Sequence, residues 1–236
     1  MVDERPEFDH LLHWVPDIDA TAARYTEAGF PTHTGPERDG FRNGAWRLDE
    51  RYVEILTVTD EAAYTAAALA EGLGAVRPAI ERAAAAGGGA LTFAVNVTDA
   101  ASAAERLRAA GHRTREVLFE FEEPPVSFRE VFLPDGPSWA PFLITYDPPR
   151  DRILTGLPED AFDPGEYDLR EIVIEVPEPD RSAAWLGELL GLPAEGARVP
   201  LPGGHVVFEQ GSADRITALA TTGPAVEIDG LSLRTA

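Results

Sequence analysis

Cysteine is absent from the 236 residues. That removes disulfides, thiolate nucleophiles and Cys-ligated metals, so any metal ion would have to be held by His, Asp, Glu or neutral oxygen. Positive charge is scarce: 41 acidic residues face 20 basic ones, for a formal net charge of −21. A surface of that sign repels phosphate backbones and anionic lipid, which argues against nucleic-acid and membrane partners. Lysine is missing, and with abundant Ala, Gly, Arg, Asp and Glu this is the bias of a GC-rich bacterial source. No stretch reaches the roughly 18 uninterrupted apolar residues of a membrane span. The N-terminus, MVDERPEFDH, carries charges where a signal peptide needs an apolar run, so the expectation is a cytoplasmic protein. No GxSxG, P-loop, HExxH or Rossmann glycine pattern follows a strand, which leaves serine hydrolase, kinase and dehydrogenase readings poorly supported.

What is present is an ordinary globular composition, 44% hydrophobic and 26% charged, enough for one large domain or two small ones. Internal repeats organise it. FDHLLHWVP (8–16) reads as a strand ending at Pro16. Asp17 then caps an amphipathic helix that Gly29 stops. Phe30–Thr34, Phe41–Leu48 and Tyr52–Val58 follow as strands, separated by Gly40, Asn43–Gly44 and Asp49–Glu50 turn chemistry. The order recurs: ALTFAVNV (90–97), a helix after Asp99 closed by Gly111, then strands over 112–121, 126–133 and 140–146. A third copy opens at Leu169 with REIVIEVP, the helix RSAAWLGELLG near Asp180, then VPL, HVVFEQ, RITALAT and VEIDGLSL. Residues 61–89 read as inserted helices ending in a Gly87-Gly88-Gly89 joint. The triple glycine precedes a strand rather than a helix, the wrong order for a phosphate cradle. Proline-rich 149–166 reads as a linker.

A tandem βαβββ order is the building block of the vicinal-oxygen-chelate superfamily, and the chain resembles its glyoxalase-like branch. The resemblance rests on FDHLLHWVPDIDATAARYTEAGF, on RDGFRNGAWRLDERYVEIL closing the first module, and on WAPFLITYDPP closing the second. It covers about residues 8–148. It implies an α+β fold in which two modules, 8–60 and 90–146, form a cupped mixed sheet within a 1–148 domain; the repeat order adds a third module-like unit over 167–236. It also implies a ligand cavity on the concave face, with His10 and Glu54 pointing into it as catalytic groups and as metal ligands.

Strand alternation puts His10, Leu12 and Trp14 on one side and Leu11, His13 and Val15 on the other. His13 therefore faces away from any site at His10 and is expected to pack under the helix with a hydrogen-bonded ring. Tyr52, Glu54 and Leu56 share a side. Imidazole and carboxylate together hold a divalent ion with positions open for substrate oxygens. The family's matching second-module ligands, however, fall at Thr92 and at about Pro141–Leu143, where no strong donor stands. Two protein ligands rarely hold an ion tightly, so the reading favours a cavity without metal over one with Fe, Mn, Ni, Co or Zn. Asn43 is a candidate substrate-binding residue, or else a turn residue. Arg129 is a candidate carboxylate clamp, or else pairs with a surface acid. Trp14, Trp46, Phe128 and Trp139 are candidate cavity walls, or else core, and Tyr52 and Trp14 are further candidates for substrate binding. His33, His112 and His205 read as surface residues near turns. Glu120 or Glu122 could enter the cavity, though a solvated strand face explains both more simply. Glu171 and Glu209 stand loosely where His10 and Glu54 do.

Two functions follow. One is an enzyme acting on an oxygenated small molecule by isomerisation, epimerisation, lyase chemistry or dioxygenation. The alternative is a metabolite- or antibiotic-binding resistance protein that uses the same cavity without turnover. The missing ligands speak against a glutathione-dependent glyoxalase. An unpaired third module would cap the second or form a homodimer interface.

Overall fold

The computed structural model describes residues 4–66, 74, 76–122, 125–155 and 163–236. Parts of the predicted helical insert (67–73 and 75), of the Pro-Pro turn (123–124) and of the predicted linker (156–162) lie outside them.

The first strand, β1 (Glu7–Trp14), is buried on both faces and can only be central. After it comes α1 (Ile18–Glu27). Asp17 starts this helix in extended conformation, its side chain accepting a hydrogen bond from the Ala20 amide at 3.1 Å. The module closes with β2 (Thr32–Thr34), β3 (Phe41–Arg47) and β4 (Tyr52–Val58). The second module repeats the order with β5 (Gly89–Asn96), α4 (Ala100–Ala109), β6 (Arg115–Phe121), β7 (Val126–Phe132) and β8 (Phe142–Asp147). Asp99 caps α4 as Asp17 caps α1, accepting from the Ala101 and Ser102 amides.

These strands form one eight-stranded sheet, ordered β2-β3-β4-β1-β5-β8-β7-β6. The modules meet at the antiparallel β1–β5 pair, and each module's last strand runs parallel to its first. One half therefore maps onto the other by an approximate two-fold. His10 is opposite Tyr52, two residues before Glu54, and Ala94 is opposite Phe142.

Between the modules lie α2 (Glu61–Ala66) and α3 (Arg77–Ala86). The triple glycine after α3 is a helix stop rather than the loose joint its composition suggests. Gly87 takes a left-handed conformation, and the Gly88 amide donates to Ala83 O at 2.8 Å, the six-residue closure that satisfies a terminal carbonyl. A Cβ on Gly88 would stand 2.2 Å from Asp229 O, so glycine is what lets these two turns touch. The predicted linker carries a short helix, α5 (Arg150–Thr155).

The C-terminal unit is module-like, with shortened halves. It comprises β9 (Leu169–Val176), α6 (Pro179–Leu190), β10 (Arg198–Val199), β11 (His205–Gln210), β12 (Arg215–Thr221), β13 (Val226–Ile228) and β14 (Leu231–Thr235). Its sheet runs β10-β11-β9-β12-β14-β13, with β9 and β12 antiparallel at the centre. The sequence suggests a single copy, with VPL, HVVFEQ, RITALAT and VEIDGLSL following one helix. Instead β12 crosses to the far side of β9 and opens a half of its own. That half has no helix, because only residues 222–225 connect β12 to β13.

Alternation along the strands sorts the core into two clusters. One joins Leu11, Val15, Tyr25 and Leu107 to Ile172, Leu186 and Phe208, so it spans both sheets and the helices between them. The other lines the opposite face of the large sheet, around Leu12, Leu56, Phe119, Phe132 and Phe142. A cavity opens on this second face.

Candidate active site

A cavity of about 670 Å³ lies on this face of the large sheet, within the range of small-molecule sites. Its polar end is built around His10, 3% exposed. The preceding residue holds the ring: Nδ1 lies 2.6 Å from Asp9 Oδ1. Asp9 is fully buried and held in turn from the second module. The Tyr146 hydroxyl donates to its Oδ1 at 2.9 Å, and Arg150 Nη1 to its Oδ2 at 3.1 Å. With Nδ1 occupied, Nε2 is the nitrogen left for the cavity, 3.8 Å from Glu54 Oε2. That gap is too long for a direct hydrogen bond.

Glu54 is positioned by the neighbouring strand, where Asn43 Nδ2 donates to Oε1 at 2.8 Å, leaving Oε2 open. Tyr52 stacks on His10 with ring centroids 4.5 Å apart, and the Arg47 guanidinium lies 4.4 Å from the Tyr52 centroid. Glu130 enters from β7, on the same face as Phe128 and Phe132.

Electrostatics divide these groups. Burial pushes the Glu130 carboxyl up to about 8; the charges of Glu54 and Asp9 add to this, and His10 opposes it. Burial works to lower the His10 pKa, but the hydrogen bond and charge of Asp9, helped by Glu54 and Glu130, raise it above its usual value. Burial also holds the Tyr52 and Tyr146 hydroxyls well above the ordinary tyrosine range. At neutral pH the cavity thus presents a protonated carboxyl close to a second carboxyl group and an imidazole.

His10, Asn43, Tyr52 and Glu54 come together here, as does Phe128. Arg129 and Trp14 do not. Arg129 follows the alternation of β7 onto the opposite face, where Nη1 donates to Glu116 Oε2 at 3.1 Å, so it clamps nothing in the cavity. Trp14 shares the His10 face but lies a turn of the sheet away, in a separate cleft beside Tyr64 and Arg77. The helices roofing that cleft are invisible to strand alternation. Trp46 and Trp139 are core residues of the inter-sheet cluster. His13 is fully buried on the helix side, Nδ1 2.9 Å from the Tyr25 hydroxyl and Nε2 3.0 Å from Asp229 O. Glu120 reaches the rim of the cavity, whereas Glu171 and Glu209 pair with Arg198 and Arg234.

Sequence reading passes over Asp9, Glu130, Tyr146 and Arg150 as site residues. Glu130 leaves a signal all the same, as the one acid on the otherwise apolar Val126, Phe128 and Phe132 face of β7. Register explains its place. Asn43 is opposite Leu56, two residues past Glu54, and Glu130 is opposite Ile144, two past Phe142. Glu130 is thus the second-module counterpart of Asn43.

A model of the glyoxalase-like domain matches residues 8–190. The chain belongs to the glyoxalase-like domain family. This family lies within the vicinal-oxygen-chelate superfamily. Among solved structures, a hypothetical protein from Staphylococcus aureus is similar over 97% of this chain and 98% of its own, with a TM-score of 0.75 and 13% identity. A triple mutant of 4-hydroxymandelate synthase from Streptomyces coelicolor is similar over 92% of this chain and 71% of its own (TM-score 0.54, 12% identity). Methylmalonyl-CoA epimerase from Mycobacterium tuberculosis matches over 61% and 91% respectively, with a TM-score of 0.41 and 18% identity. No curated protein matches the chain. Likeness at these identities establishes the fold alone.

The donor set of this glyoxalase-like protein does not fit the divalent ion associated with its superfamily. With Asp9 on His10 Nδ1 and Asn43 on Glu54 Oε1, these two side chains leave one free donor each, Nε2 and Oε2, two in all. On the second-module side, the Thr92 hydroxyl donates to Ala140 O at 2.7 Å, and apolar Phe142 stands in the place of Glu54. Among the described residues, no three His, Asp or Glu side chains are grouped to hold an ion. Among those residues, too, no helix is long and apolar enough to cross a membrane.

Proposed function

We propose that the protein is an enzyme that moves a proton on a small oxygenated metabolite, as an isomerase or lyase does, with side chains carrying the acid–base chemistry. The observation that supports this most is the pair of carboxyl groups in unlike surroundings. Glu130 is held as a neutral acid by its burial, while Glu54 keeps one oxygen open beside His10. Two carboxyls whose environments separate their proton affinities divide into acid and base.

The chemistry balances without an external partner. Glu54 Oε2 takes the proton from a carbon next to a substrate carbonyl. The C–H pair becomes the C=C bond of an enolate, and the carbonyl π pair moves to oxygen. That oxygen accepts from His10 Nε2–H and receives the Glu130 proton. Return of a proton to either enol carbon or face completes an isomerisation, and loss of a neighbouring leaving group completes an elimination. Asp9 keeps Nε2 aimed at the cavity, and Tyr146 and Arg150 keep Asp9 in place. The chain has no lysine or cysteine, so a lysine Schiff base or a thiol adduct is not available.

On an α-hydroxy ketone, Glu54→Gln is expected to lower kcat at least ~100-fold, the usual weight of a general base. Wild-type rate is expected to fall as pH rises through about 8, where Glu130 loses its proton, and Glu130→Gln to give a slower but flat profile over that range. Dialysis against EDTA is expected to leave the rate unchanged. A rate restored only by an added divalent ion would contradict the side-chain mechanism. Tight binding without turnover would instead identify a sequestering protein.

A further inference from the structure

Away from its polar end, the cavity is walled by aromatic rings stacked or tilted against one another. Phe128 lies at the middle, 4.8 Å from Phe119, 5.8 Å from Phe121 and 5.9 Å from Tyr146 between ring centroids. Phe132 and Phe142, 5.1 Å apart, continue the wall to the His10 ring, itself 5.5 Å from Phe142. Phe121 is 46% exposed, one of two large hydrophobics left open among the described residues, and it stands on this wall. A ring with that much bare surface at a cavity mouth has a face to offer a ligand.

The charged groups of the wall lean the other way. Besides the neutral Glu130, the lining carries three carboxyl groups, of Asp39, Glu54 and Glu120, against one guanidinium, Arg38 at the rim. Arginines that would serve an anionic substrate are committed elsewhere: Arg150 to Asp9 and Glu7, Arg129 to Glu116, and Arg47 to the Tyr52 ring. The negative π faces of the wall disfavour an anion further.

We infer that the substrate is an uncharged aromatic compound carrying a carbonyl or hydroxyl group, and that the cavity turns away anions of the same skeleton. This rests on the acid–base reading of the site and deepens it. The oxygenated group sits at His10 and Glu54, and the ring lies against Phe119, Phe128 and Tyr146. The ring selects by stacking, the carboxyls by repulsion, and the two filters act on different parts of one molecule.

Equilibrium binding to the full-length protein separates them. Three probes share eight carbons: 2-hydroxyacetophenone, its ring-saturated cyclohexyl analogue, and mandelate. Calorimetric titration is expected to give the aromatic ketone an affinity at least ~10-fold above mandelate and several-fold above the cyclohexyl ketone. Phe128→Leu keeps the cavity apolar and is expected to erase the preference for the aromatic ring while leaving mandelate rejected. Mandelate binding as tightly as the ketone, saturated and aromatic rings binding alike, or no probe binding at millimolar concentration would each overturn the inference. The aromatic ketone binding selectively but never exchanging a proton would leave this inference standing and sink the acid–base reading instead.

Discussion

His10 and His13 lie three residues apart on one strand, and their surroundings push them in opposite directions. Asp9 and its carboxylate neighbours raise His10, whereas burial lowers His13 to about 4. Below pH 6.5 the unfolded chain takes up a proton at His13 that the folded chain refuses. Stability is therefore lost as pH falls from 6.5 to 4, by roughly 3 kcal/mol. Urea midpoints across that window should fall less steeply in His13→Gln than in wild type; parallel curves would count against the account. The raised His10 has the opposite sign. Its stabilisation is complete below pH 6.5 and is lost as pH rises through the folded value. Asp9→Asn leaves burial unopposed by its nearest charge, so NMR titration should find the His10 pKa dropping from its wild-type position. At this scale the facing of His10, His13, Asn43 and Glu54 was legible, because alternation with period two fixes it. For Arg129 the sequence leaves a cavity clamp and a pairing with a surface acid both open, and the alternation of β7 sends it to the acid Glu116.

Caps and turns made the elements legible. Asp17 and Asp99 stand where the helices begin, and the strand closing the first module spans Tyr52–Val58 as its pattern predicts. What depended on packing between elements was not legible, including the cleft around Trp14 and the task of the triple glycine. That task can be tested within one turn. At Gly87 an added Cβ meets nothing within 4 Å, so Gly87→Ala should cost only the left-handed backbone penalty, about 1 kcal/mol. At Gly88 the same change drives a methyl into Asp229 O, and a loss of about 1–3 kcal/mol or more is expected. Thermal melts that rank the two the other way would refute the close approach of these turns.

The whole molecule is held together by a cluster that draws on both sheets. Leu186 is fully buried in it, on the helix whose Trp185 ring meets Trp139 of the second module. Leu186→Ala should cost about 2–5 kcal/mol and lower the stability of both sheets in one cooperative transition. Two separate transitions, with only the C-terminal unit weakened, would show the units to be independent. The repeat order made the two-module sheet legible. The helix-free second half of the C-terminal unit was not, since strands alone do not say on which side of β9 they pair. At this scale the modules also divide the polar groups around the cavity. The first supplies His10, Asn43 and Glu54; the second supplies Glu130 and Tyr146, with Arg150 just beyond it. The most direct test of that shared site is solvent exchange. Wild-type protein incubated with 2-hydroxyacetophenone in D2O should wash deuterium into the carbon beside the carbonyl, as followed by proton NMR, and Glu54→Gln should abolish the effect. Exchange no faster than in buffer, or equally fast in the variant, would contradict proton transfer in this cavity.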